Sequence, residues 1–134
     1  IFSIMIFVQN SKLLIRFVEK KDINKSFVRS LNNKKLNKFL ISVVEKQSLR
    51  SALRYFDYMH SKEHLYLCVI DKIDNQFVGT ITYRKMNKQS YYLGFMISNT
   101  NYFGSDIFYE AVKLSLKFLM KKYDVKKINA GTNK

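Results

Sequence analysis

The chain has no proline, no tryptophan, one cysteine and four glycines in 134 residues, and its 10 acidic residues are outnumbered by 24 basic ones. With Cys68 alone, no internal disulfide can form. Cys68 lies in the apolar run Leu65–Ile70, where a buried core thiol is expected rather than a nucleophile, and a reducing, cytoplasmic setting suits it. No apolar run approaches the ~20 residues that span a bilayer, so no membrane partner is expected. Ile1–Val8 has neither a basic flank before it nor a small-residue cleavage site after it, which argues against a secretory signal. Met5 is a natural initiator, with Ile1–Ile4 then a leader. Internal repeats, low-complexity tracts and linkers are also missing, and one compact domain over residues 1–134 follows.

The formal net charge is +14. The lysine pairs at 20-21, 34-35, 121-122 and 126-127 are scattered over different elements, and no helix joins a basic face to exposed aromatics. That spread points away from specific nucleic-acid recognition. Richness in Lys, Asn, Ile, Phe and Tyr is the bias of an AT-rich coding sequence, and accounts for much of the charge. Salt-sensitive, nonspecific binding to polyanions is still expected.

Hydrophobic residues make up 47% of the chain, and their periodicity sets out the elements. Ile6–Val8 and Leu13–Val18 read as strands around the turn Gln9–Ser11, with Leu13, Ile15 and Phe17 alternating against Leu14 and Arg16. Asp22 is placed to cap a helix over Ile23–Leu31, with Phe27, Val28 and Leu31 inward. A short helix through Leu36, Phe39 and Leu40 follows. Ser48 caps another, with Leu49, Ala52, Leu53, Phe56 and Met59 as its apolar stripe and Arg50, Arg54 and Asp57 on its wet side. Leu65–Ile70, Gln76–Tyr83 and Tyr91–Ile97 then form an antiparallel meander. After Gly104, Ile107, Ala111, Leu114 and Phe118 make a helical stripe widened by Phe108, Val112 and Leu119, with Lys113, Lys117 and Lys121 in water. Lys127–Ala130 is the last strand, reached by a crossover. The order is β-β-α-α-β-β-β-α-β.

In that order, Leu13–Ile23 (LLIRFVEKKDI), Ser30–Leu40 (SLNNKKLNKFL), Gln76–Tyr83 (QFVGTITY), Leu93–Ile97 (LGFMI) and Glu110–Met120 (EAVKLSLKFLM) resemble the GCN5-related N-acetyltransferases. The branch resembled holds ribosomal-protein N-terminal and amino-sugar acetyltransferases. The resemblance implies an α/β (α+β) fold with a mixed, mostly antiparallel, splayed sheet and helices on both faces. It implies acetyl-CoA as co-substrate and an amine-bearing acceptor, either a protein N-terminus or an amino-sugar nucleotide. Main-chain groups of Phe95, Met96 and Ile97 would pair with the pantetheine arm. The turn Phe103, Gly104, Ser105, Asp106, Ile107 and Phe108 would face the pyrophosphate at a helix N-terminus.

That turn departs from the family pattern Arg/Gln-x-x-Gly-x-Gly/Ala. Phe103 replaces the leading Arg or Gln, Asp106 the first glycine and Phe108 the small last residue. Asp106 is expected to cap the helix with its own side chain and to repel a phosphate, and Phe108 to add bulk where a phosphate approaches. A degenerate fold-mate that binds a partner without acetyl transfer is therefore the alternative reading. No catalytic residue is assigned. Tyr92 occupies the place of a family glutamate, but a phenol is a poor base at neutral pH, and packing is its expected role. Glu110 matches a structural glutamate, and His60 and His64 lack partners for a metal, so no metal site is expected. The family's closing helix and strands have no counterpart before Lys134. An open sheet edge, self-association, a truncated chain and no activity of the segment by itself are the resulting expectations.

Overall fold

The computed structural model describes residues 5–33 and 46–130. Strands β1 (Ile6–Gln9), β2 (Leu13–Phe17), β3 (Leu65–Asp71), β4 (Gln76–Asn87), β5 (Ser90–Ile97) and β6 (Lys127–Ala130) lie side by side in chain order. All neighbours are antiparallel except β5 and β6. Helices α1 (Lys25–Leu31) and α2 (Leu49–Ser61) precede β3, and α3 (Ile107–Lys122) links β5 to β6. This is the expected mixed sheet and element order. The short helix through Leu36, Phe39 and Leu40 falls outside the described residues, as does most of Ser30–Leu40.

Alternation along the central strands divides the core into two layers. Leu65, Leu67 and Val69 of β3 pack with Phe7, Leu13, Ile15, Ile81 and Tyr83 against Phe108, Ala111 and Leu119 of α3. Tyr66 and Cys68 turn the other way, toward Phe27 of α1 and Ala52 and Met59 of α2. A sheet covered on both faces needs an unbroken apolar central strand, and β3 supplies one. Burial pushes the Cys68 thiol up to about 12, so it stays protonated and unreactive at neutral pH.

Helix starts are set by local polar competition. Asn24, not Asp22, caps α1, its Oδ1 accepting the Phe27 N–H at 2.9 Å. Asp22 is taken by Arg16 of β2 through two bonds of 2.8 and 3.0 Å, and it also accepts the Glu19 N–H. A bidentate, charge-assisted pair outweighs a single cap bond, so the helix begins two residues late. Ser48 caps α2 as expected, in a reciprocal box with Ser51. Leu49 sits in the first turn and is 41% exposed, so the stripe narrows to Ala52 and Met59 with Leu53 and Phe56 at its margins.

The deepest line on α3 is Phe108, Ala111, Ser115 and Leu119, with Ile107, Leu114 and Phe118 flanking it. Ser115 belongs there because its Oγ meets the buried Tyr83 hydroxyl at 2.6 Å and donates to the Val112 carbonyl at 3.0 Å. Tyr83 is therefore the donor between the two hydroxyls. Ser115→Ala strands that phenolic proton in the core and is expected to cost about 1–3 kcal/mol, whereas Tyr83→Phe leaves Ser115 its carbonyl and costs about 1 kcal/mol. Urea denaturation of the two variants gives the comparison.

Candidate functional site

Strand β5 has two different neighbours along its length. On one side β4 pairs with it from end to end, from Asn87 opposite Ser90 to Gly79 opposite Ile97. On the other, β6 reaches only from Ser90 to Leu93. Among the described residues no strand covers Gly94–Ile97 on that side, so their outward N–H and C=O groups form a short free edge. Such an edge can pair with an extended ligand. Phe95 is half exposed beside it and touches the Phe108 ring, while Met96 is buried on the α1 and α2 face. Ile97 is half-buried against the α3 layer.

The loop after β5 is stitched to the sheet before it reaches α3. Ser98 and Asn99 both donate their N–H groups to the Val78 carbonyl, at 2.9 and 3.3 Å. A single tight turn over Thr100–Tyr102 follows, and the Tyr102 hydroxyl donates to Asp71 at 2.7 Å. This hydrogen bond and those from the Ile73 and Asp74 N–H groups hold the Asp71 carboxyl below its ordinary range, and burial pushes the Tyr102 phenol up to about 12. Phe103 is half exposed. Gly104 has φ +83°, a left-handed conformation that glycine takes without strain.

Helix α3 then opens in a way that differs from the sequence expectation at two residues. Asp106 has helical backbone angles, φ −77° and ψ −8°, and its carboxylate makes no cap bond. A side-chain cap needs extended backbone at its own position. Ser105 fills the role instead, its Oγ accepting the Ile107 N–H at 3.1 Å. The Asp106 carboxylate is left exposed at the helix mouth, and the N–H groups of Phe108 and Tyr109 have no carbonyl four residues back inside the helix. The second difference is Phe108. Its ring is 4% exposed in the core, against Phe95 and beneath Gly79. A Cβ on Gly79 would come 2.9 Å from that ring and would clash with the Met96 carbonyl. The Phe108 side chain thus adds no bulk at the turn, and only its N–H belongs there.

On the opposite face of β5, Gly94, Phe95 and Met96 form one wall of a cavity of about 280 Å³, closed by Phe27, Ala52, Tyr55, Tyr66 and Thr80. Burial raises the pKa of both phenols, Tyr55 and Tyr66, so neither takes a proton near neutrality. Tyr92 shares strand parity with Gly94 and Met96, and the Arg84 guanidinium lies 5.1 Å above its ring. That contact fits the packing role expected for Tyr92. His64 is engaged at both nitrogens: Nδ1 accepts the Lys85 N–H at 2.8 Å and Nε2 lies 3.3 Å from the Tyr58 hydroxyl. Burial, Arg84 and Lys62 lower its pKa. Its neutral ring therefore carries the proton on Nε2. His60 stacks on Phe56 and Glu110 is exposed in the first turn of α3. Among the described residues no three His, Cys, Asp or Glu side chains gather as a metal site, and no helix is long and apolar enough to cross a membrane.

Thr80, Tyr55 and the Tyr102–Asp71 bond escaped sequence reasoning, because each depends on partners far apart in the chain. The free edge and the cavity meet at the same three residues of β5. In comparison with known proteins, the acetyltransferase (GNAT) domain family matches residues 12–134. The chain belongs to the GNAT acetyltransferase family.

Solved GNAT-like structures share the fold at low identity. A GNAT-family acetyltransferase from Bacillus anthracis is 22% identical, with a TM-score of 0.75 over 92% of this chain and 71% of that one. Spermidine N-acetyltransferase from Vibrio cholerae, solved with CoA and spermine, is 17% identical, with a TM-score of 0.76 over 90% of this chain and 71% of that one. An acetyltransferase from Salmonella typhimurium that modifies the N-terminal serine of ribosomal protein L7/L12 is 11% identical, with a TM-score of 0.72 over 94% of this chain and 73% of that one. No curated protein matches the sequence.

Proposed function

We propose that this chain transfers an acetyl group from acetyl-CoA to a primary amine, borne by a protein N-terminus or an amino-sugar nucleotide. The observation that carries the reading is the free edge of β5 at Gly94–Ile97, set between the start of α3 and the cavity on the other face. Bound acetyl-CoA supplies a thioester carbonyl open to attack by an amine. Main-chain groups of Phe95, Met96 and Ile97 would hold the pantetheine arm as an added strand. The turn Phe103–Phe108 would meet the pyrophosphate, with the N–H groups of Phe108 and Tyr109 as donors.

An amine in the smaller cavity reacts only when neutral. No carboxylate or imidazole lines that cavity among its described residues. The hydroxyls of Thr80, Thr82 and Tyr55 offer hydrogen bonds that would hold the amine, and its proton would leave to water, which needs no resident base. Tyr92 remains the one candidate from the family position, acting beside Arg84.

The exposed Asp106 carboxylate supports the second reading, a fold-mate that binds a partner without acetyl transfer. Titration calorimetry with acetyl-CoA separates the two. Saturable binding at micromolar to low millimolar ligand is expected, and silence throughout the millimolar range would leave only the non-catalytic reading.

A further inference from the structure

Beside the small cavity, and sharing the Phe27 wall with it, lies a larger one of about 810 Å³ between α1, the β3–β4 turn and the segment after β5. Its size is that of a small-molecule site. Three charged residues line it. Arg16 and Asp22 are bonded to each other at 2.8 and 3.0 Å and cancel. Arg29 is exposed, and among the described residues no carboxylate lies within ion-pair distance of it. The rest of the polar lining is amide and hydroxyl, including Asn24, Asn75, Gln76, Ser98 and Thr100.

Neutral amides and hydroxyls in such number match the hydroxyls of a sugar, each able to give or accept a bond. The planar guanidinium of Arg29 matches a phosphate or carboxylate through paired N–H donors. A polyamine would meet the opposite: an unmatched cation and, among the described lining residues, no carboxylate but Asp22, which Arg16 already holds. No residue of Phe103–Phe108 lines the cavity, which separates it from the turn assigned to the pyrophosphate. We infer that this cleft holds the body of the acceptor, a hydroxylated amine carrying an anionic group, with Arg29 as the residue that selects it. The amine then extends past Phe27 into the smaller cavity at the β5 edge. This rests on the acetyl-transfer reading and decides between its two acceptors in favour of the amino sugar.

Calorimetry on the intact chain tests the cleft without requiring turnover. Glucosamine 6-phosphate and glucosaminuronic acid serve as phosphate and carboxylate probes, with glucosamine, spermidine and a serine-initiated tetrapeptide as comparators. At least one anionic probe is expected to bind tenfold or more tightly than glucosamine. Arg29→Glu should erase that advantage, and Arg29→Lys should restore part of it. Lys113→Glu makes the same change in net charge on exposed α3 and should leave the affinity within twofold. Spermidine or the peptide binding best would overturn the inference, as would equal losses in Arg29→Glu and Lys113→Glu. So would a loss in Arg29→Glu confined to acetyl-CoA, which would give the cleft to the donor. Should wild type bind the anionic sugar but no acetyl-CoA, the cleft stands and acetyl transfer falls.

Discussion

Phe108→Ala is expected to destabilise the fold by about 3–5 kcal/mol, the cost of emptying a buried aromatic site that neighbours fill only in part. Small domains have only about 5–15 kcal/mol in total, so this one change removes a large share. The site cannot collapse easily. Gly79 lies over the ring with no side chain to move inward, and Phe95, half exposed, is the ring packed against it. Phe108→Leu keeps much of the volume and should lose less than half as much. Urea denaturation of the three proteins measures both steps. Acetyl-CoA affinity measured on the folded fraction separates this role from a place at the phosphate turn. If Phe108→Ala unfolds no more readily than wild type and instead binds acetyl-CoA more tightly, the ring obstructs the ligand and does not support the core.

That residue also shows where sequence reading succeeds and where it divides. Position 108 falls in two patterns at once, the apolar stripe of α3, which Phe fits, and the small last place of the family's turn, which Phe does not. The stripe wins, because burying an aromatic ring against the sheet stabilises the fold by more than a solvated loop position can. The strands were legible for a similar reason. Leu65–Ile70 is apolar on both parities, which only a sheet covered on both faces explains, and Leu13, Ile15 and Phe17 alternate on one.

What stayed hidden depends on register and on distant partners. Ser115 interrupts an apolar helix, and nothing within α3 says that Tyr83, 32 residues earlier, satisfies it. Asp22 looked like a cap until Arg16 claimed it. Among the described residues, the free edge at Gly94–Ile97 follows from the register of β6, which begins opposite Ser90 and pairs with β5 as far as Leu93. Strand register of that kind is fixed by packing and not by composition. The family resemblance pointed to Phe103–Phe108 as the turn that would meet the pyrophosphate. The structure separated its residues into those whose side chains face the solvent, Phe103 and Asp106, and one whose side chain leaves for the core.

With the Phe108 ring in the core, Asp106 is the residue of the turn that sets a negative charge against the donor. Asp106→Asn is expected to tighten acetyl-CoA binding about 10- to 100-fold. Two unit charges ~4 Å apart in an effective dielectric near 20 repel by about 4 kcal/mol, which sets an upper bound near three decades of affinity. Exposure and physiological salt, with a Debye length of about 8 Å, reduce that to one or two decades. Folding should change little. The carboxylate makes no cap bond, Ser105 Oγ holds the Ile107 N–H, and only the attraction of a negative group for the helix start is lost, about 0.3–1 kcal/mol. Calorimetry at low and high salt gives the sign and its origin together. The gap between variant and wild type should shrink as salt rises, because screening weakens the repulsion that asparagine removes. An Asp106→Asn protein that binds acetyl-CoA less tightly than wild type would mean that the carboxylate accepts a bond from the ligand, and the anion would then have to sit elsewhere on the α3 mouth.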